Sequence, residues 1–73
     1  MTETVLDLRG LKCPLPALRT RKALKGLEKG SILLVECTDP MASLDIPNLI
    51  RETGDELLGQ MRGDVLTFRI QKS

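Results

Sequence analysis

Apolar positions gather in short clusters along the chain, and their spacing changes from one cluster to the next. Val5-Leu6-Asp7-Leu8 partly alternates, with Leu6 and Leu8 on one side, and predicts a short strand over about residues 4–8. From Pro14 to about Glu28 the period lengthens. Leu15, Ala17, Leu18, Leu24 and Leu27 make the apolar stripe of a helix, with Arg19, Arg21, Lys22, Lys25 and Lys29 mostly off it. Gly30 is the expected C-cap and Gly26 a weak point within. Ser31 to Thr38 carries the continuous run Ile32-Leu33-Leu34-Val35 and predicts a strand covered on both faces or one with an apolar outer face in a small sheet, with Leu33, Val35 and Cys37 on the core face. Asp39 to Leu44 reads as a turn-rich connection with room for one helical turn. Asp45 then caps a second helix with Ile46 and Pro47 in its first turn; the alternative is Pro47 kinking a longer helix, which needs more strain than an early position. Ile46, Leu49 and Ile50 form its apolar face, and Gly54 ends it. Glu56 to Met61 is a third strand, weakened by Gly59. After the tight link Arg62-Gly63-Asp64, Val65 to Ile70 alternates strongly, with Leu66, Phe68 and Ile70 facing inward.

The element order is βαβαββ. A right-handed β-α-β crossover makes the first two strands parallel, and the last two form an antiparallel hairpin. The expected fold is an α/β (α+β) two-layer sandwich: a mixed four-stranded sheet with two helices on one face. With 73 residues the chain has room for one domain, 1–73.

Composition narrows the chemistry. The chain has no His, Trp or Tyr and one Phe. That excludes Ser/His and Cys/His catalytic pairs and imidazole metal ligands, and it argues against stacking on nucleic acid bases. A net charge of +1 gives no general attraction to nucleic acid or to an anionic membrane. Two cysteines are too few for a disulfide framework or a four-thiolate metal site. We expect a cytoplasmic protein without metal, cofactor, signal segment or membrane span.

The remaining chemistry lies in Gly10-Leu11-Lys12-Cys13-Pro14-Leu15-Pro16. Pro14 suits the first position of a helix, which puts Cys13 at the N-cap and Pro16 in the first turn. Helix N-termini and cations such as Lys12 and Arg9 favour a thiolate, so the thiol of Cys13 is expected to be more acidic than free cysteine. Asp39 is a candidate opponent across the sheet edge, and Asp45 lies at the same edge. The bases Arg9, Arg19, Lys22 and Lys25 read either as a solvated face or as a docking patch. Cys37 reads as a core residue.

These residues resemble the TusA/SirA family of sulfur carriers. The likeness rests on Leu6 to Pro16 with its Cys-Pro-x-Pro, on Asp39-Pro40 with Asp45-Ile46-Pro47, and on Gly54 to Leu58 with the final strand. The resemblance implies the same βαβαββ sandwich. It implies a persulfide on Cys13, received from a cysteine desulfurase or another sulfurtransferase and passed to an acceptor protein. The routes served in the family are tRNA thiolation, molybdenum-cofactor maturation and sulfur oxidation. The resemblance implies a sulfur carrier acting as a sulfurtransferase partner and leaves open whether the chain is itself an enzyme. Gly10, Lys12, Pro14 and Pro16 shape the loop. Two other readings compete: a thiol redox switch between Cys13 and Cys37, and a regulatory or RNA-binding module using the basic helix.

Overall fold

A computed structural model describes residues 3–73. The strands are β1 (Glu3–Leu8), β2 (Ile32–Cys37), β3 (Glu56–Met61) and β4 (Leu66–Gln71), and the helices are α1 (Leu15–Lys25) and α2 (Ala42–Thr53). The order along the chain is therefore βαβαββ, as the periodicity predicts. In space the strands run β1-β2-β4-β3. β1 lies parallel to β2, from Glu3 opposite Ile32 to Leu8 opposite Cys37. β4 runs antiparallel to both β2 and β3. The register between β3 and β4 shifts between Leu57 and Gly59, at the glycine that weakened the sequence pattern.

Alternation sets the core. Leu33, Val35 and Cys37 of β2 and Phe68 and Ile70 of β4 point to the helix-covered face and are fully buried. They meet Leu24 of α1 and Ile46 and Ile50 of α2 in one cluster. The single aromatic residue, Phe68, is the largest side chain at its centre. On the opposite face Arg69 of β4 reaches Glu3 of β1 at 3.3 Å.

Both helices depart from the sequence reading. α1 ends at Lys25 rather than near Glu28, because Gly26 is the C-cap and donates to the carbonyl of Ala23 at 3.1 Å. Gly30, expected as the cap, instead takes a φ of 90° in front of β2 and donates to the carbonyl of Lys72 at 2.7 Å. The buried face of α1 is Pro16, Thr20 and Leu24, whereas Leu15 and Leu18 are 42% and 55% exposed. A buried threonine is tolerated because its hydroxyl donates to the carbonyl of Pro16 at 2.7 Å.

α2 starts three residues earlier than Asp45. Met41 is its N-cap, and Asp45 sits in the first turn, where a carboxylate suits the positive end of the dipole. Pro47 consequently lies inside the helix, not at its start. Gly54 ends α2 as expected, left-handed with a φ of 80°.

Candidate functional site

The loop between β1 and α1 is tied down residue by residue. The N–H of Leu11 donates to the carbonyl of Leu8 at 3.2 Å, and that of Gly10 donates to the hydroxyl of Thr38 at 2.9 Å. Gly10 has a φ of 86°, which a side chain would strain. The carboxylate of Asp39 accepts from the backbone N–H groups of both Cys13 and Met41. The loop that follows β2 thus fixes the loop that follows β1. Both stand at the carboxyl edge of the parallel pair, where open α/β sheets build their sites.

Cys13 ends up one residue outside the helix. Pro14 is the N-cap, the Cys13–Pro14 peptide is cis, and Leu15 and Pro16 open the first turn. This corrects the expected N-cap by one position. The thiol is exposed and free. It donates to Asp45 Oδ2 at 3.0 Å. A groove of about 330 Å³ between α1 and α2 begins at the thiol, with Ala17, Leu18, Asn48 and Leu49 among its walls. Arg21 and Glu52 close its far part with a 3.0 Å ion pair. On the other side of Cys13 a second hollow is lined by Gly10, Lys12, Thr38 and Met41.

The electrostatics reverse the sequence expectation. The hydrogen bond to Asp45 raises the thiol pKa above its ordinary value, and desolvation and the charges of Asp45 and Asp39 add to the rise. The expected cations do not compensate. Arg9 is held by Asp7 through two contacts, at 2.9 and 3.0 Å, and that hydrogen bonding lowers Asp7 to about 2. Lys12 is exposed. Sequence alone placed Asp45 at a helix start. It could not show that the earlier start of α2 turns Asp45 toward the sulfur.

Cys37 lies at the end of β2, fully buried, with its thiol pushed up to about 11 by burial and then by the charge of Asp39. It is free, as Cys13 is.

Lys12, Arg19, Lys22 and Lys25 are exposed and make no ion pair among the described residues. Arg19, Lys22 and Lys25 share the outer side of α1 with Leu15 and Leu18. Met41 and Leu44 are also exposed, at 46% and 59%. Sequence reasoning missed these four apolar residues as surface. The available signal was a second stripe on α1, Leu15-Leu18-Lys22-Lys25, opposite Pro16-Thr20-Leu24. Its polar threonine disguised the inward side.

Among the described residues, no helix is long and apolar enough to cross a membrane. Nor does any group of three His, Cys, Asp or Glu residues stand together to hold a metal.

Fold and site define a class: a small α/β sandwich that presents one tethered, exposed thiol at a sheet edge. The chain belongs to the TusA family, whose profile, described as sulfurtransferase TusA, matches residues 4–72. It is 46% identical to the YrkI protein of Bacillus subtilis (strain 168), over 97% of this chain and 96% of that one. It is 41% identical to the sulfur carrier protein TusA of Allochromatium vinosum, over 93% and 91% respectively. It also matches YrkF of Bacillus subtilis at 36% identity, covering 93% of this chain but 37% of that longer one.

Proposed function

We propose that this chain is a sulfur carrier that holds a persulfide on Cys13. The observation that carries the reading is the exposed thiol of Cys13, fixed at the sheet edge by Asp39 in a chain of this family. A cysteine desulfurase or another sulfurtransferase supplies the sulfur, and a second protein accepts it. In loading, the sulfur of Cys13 forms a bond to the terminal sulfur of the donor's persulfide. The donor's S–S bond breaks, and its cysteine leaves as a thiolate. The atom moves without an outside oxidant or reductant. Access and thiolate fraction govern such exchange, and an exposed sulfur between two hollows meets the first requirement. Thiolation of tRNA, molybdenum-cofactor maturation and sulfur oxidation are the routes such a carrier serves.

Leu15, Leu18, Met41 and Leu44 give a docking partner an apolar seat beside the thiol. Lys12, Arg19, Lys22 and Lys25 favour an acidic rim on that partner. The complete burial of Cys37 favours this reading over a Cys13–Cys37 switch.

The test is intact-mass analysis after mixing the protein with a cysteine desulfurase and cysteine. The wild type gains one sulfur atom, which a reductant removes and peptide mapping assigns to Cys13. Cys13→Ser folds, since a hydroxyl can still donate to Asp45, and gains nothing. Reducible sulfur on the folded serine variant overturns the reading.

A further inference from the structure

The contact between Cys13 and Asp45 has no place in a scheme that asks only for a reactive thiol. A carboxylate at 3.0 Å from the sulfur stabilises S–H and opposes S⁻. Asp45 is half-buried on the first turn of α2, so its position is set by a helix and not by a mobile loop.

The surrounding charges leave that carboxylate in control. From the loop after β1, Arg9 is bound by Asp7, and Lys12 is exposed. From the loop after β2, Asp39 spends both oxygens on backbone N–H groups and adds negative charge. From α1, Arg21 shares the groove but is engaged by Glu52 of α2. From β2, Cys37 is buried and neutral.

We propose that Asp45 is a positioning residue that keeps a proton on the sulfur carried by Cys13, in the empty thiol and in the loaded persulfide. The proposal rests on the carrier reading for its loaded half only. A hydropersulfide is a stronger acid than its thiol, and its anion resists attack by an acceptor thiolate of the same charge. The terminal sulfur stands only about 2.05 Å beyond the first, so a carboxylate beside the first can accept from the second.

Delivery then balances without a further reagent. The acceptor thiolate forms a bond to the protonated terminal sulfur, and the S–S bond to Cys13 breaks with its electron pair staying on Cys13. The acceptor leaves as a hydropersulfide, which loses its proton, and the Cys13 thiolate takes one up beside Asp45. The acceptor sulfur is oxidised to the persulfide level, and that of Cys13 is reduced to the thiol level. In the empty state the same contact keeps the exposed sulfur from reacting with stray electrophiles.

The experiment compares wild type, Asp45→Asn and Asp45→Glu in two assays. The first follows iodoacetamide alkylation of Cys13 against pH, in a Cys37→Ala background. Asp45→Asn alkylates severalfold faster at pH 7, with its profile displaced to lower pH. Asp45→Glu, which keeps the charge, stays nearer to wild type. In the second, each protein is loaded chemically with inorganic polysulfide, and release of sulfur to dithiothreitol is followed in a single turnover. Release from Asp45→Asn is severalfold slower at pH 8, and its decline with rising pH begins earlier. Coincident wild-type and Asn profiles overturn the proposal, and so does equal behaviour of Asn and Glu. Neither assay uses a desulfurase, so failure of the carrier reading, seen as no enzymatic loading, is read separately.

Discussion

Two cysteines with the same side chain meet opposite surroundings. Cys13 is exposed beside carboxylates, and Cys37 is sealed under the sheet's helical face. The raised pKa of Cys37 has a consequence for stability. The folded state holds the thiol proton to about pH 11, against an ordinary value of 9.0. A group whose folded pKa is raised contributes its full stability below the unfolded value. That contribution is lost as pH climbs from about 9 toward 11. Denaturant melts across this range should show an alkaline loss of order 2 kcal/mol in wild type. Cys37→Ala should lack that part of the loss, be less stable near neutrality by about 1–2 kcal/mol, and accept sulfur as the wild type does. An identical alkaline limb in both proteins would remove Cys37 as its source.

At the scale of elements, α1 has two working sides. Pro16, Thr20 and Leu24 hold it to the sheet, and Leu15, Leu18, Arg19, Lys22 and Lys25 face outward. Exposed charges act chiefly on encounter. Lys22→Glu with Lys25→Glu should therefore slow sulfur uptake from an acidic-rimmed donor severalfold through association, with dissociation little changed. The wild-type association rate should fall with added salt. Leu18→Ser should weaken the same encounter through the other rate constant, speeding dissociation with association little changed. Stopped-flow or surface-binding kinetics with a cysteine desulfurase separate the two effects, and a salt-independent wild-type rate would refute the electrostatic part.

The strands were legible because alternation is local. The pattern marks Glu56–Met61 with its bounds, and Leu33, Val35, Cys37, Phe68 and Ile70 are buried as alternation predicts, with Leu66 of the same set half-buried against them. The helix starts were not. Asp45 looks like a cap in one dimension, yet the real first turn is built by Asp39 and Pro40 accepting from the residues that follow them. That misplacement hides the largest cause of the thiol's raised pKa, the hydrogen bond to Asp45. Cys13 is legible from its motif and Asp45 as a residue of the same edge, whereas the contact between them comes only from packing.

At the scale of the molecule, one small core supports everything. A domain of this size is stabilised by roughly 4–11 kcal/mol. Phe68→Ala removes the largest core side chain and should cost about 3–5 kcal/mol. Thermal melts should show a large drop in midpoint, with loading lost in the same temperature range because Thr38 and Asp39 continue directly from β2 beneath the site. A melt unchanged by this substitution would contradict the described core.

The pairing of strands also decides where the chain enters and leaves the sandwich. Glu3 and Gln71 both lie opposite Ile32, at the beginning of β2, whereas Leu8, just ahead of the cysteine loop, lies opposite Cys37 at its far end. A strand of this length separates the two rims by roughly 17 Å at about 3.3 Å per residue. Polypeptide attached at either terminus therefore starts from the rim remote from the sulfur and leaves the thiol's approach clear. The sandwich thus keeps its outermost strand residues on one rim and its cysteine loop on the other, a layout in which added chain does not crowd the sulfur. The match to 37% of YrkF fits such a layout.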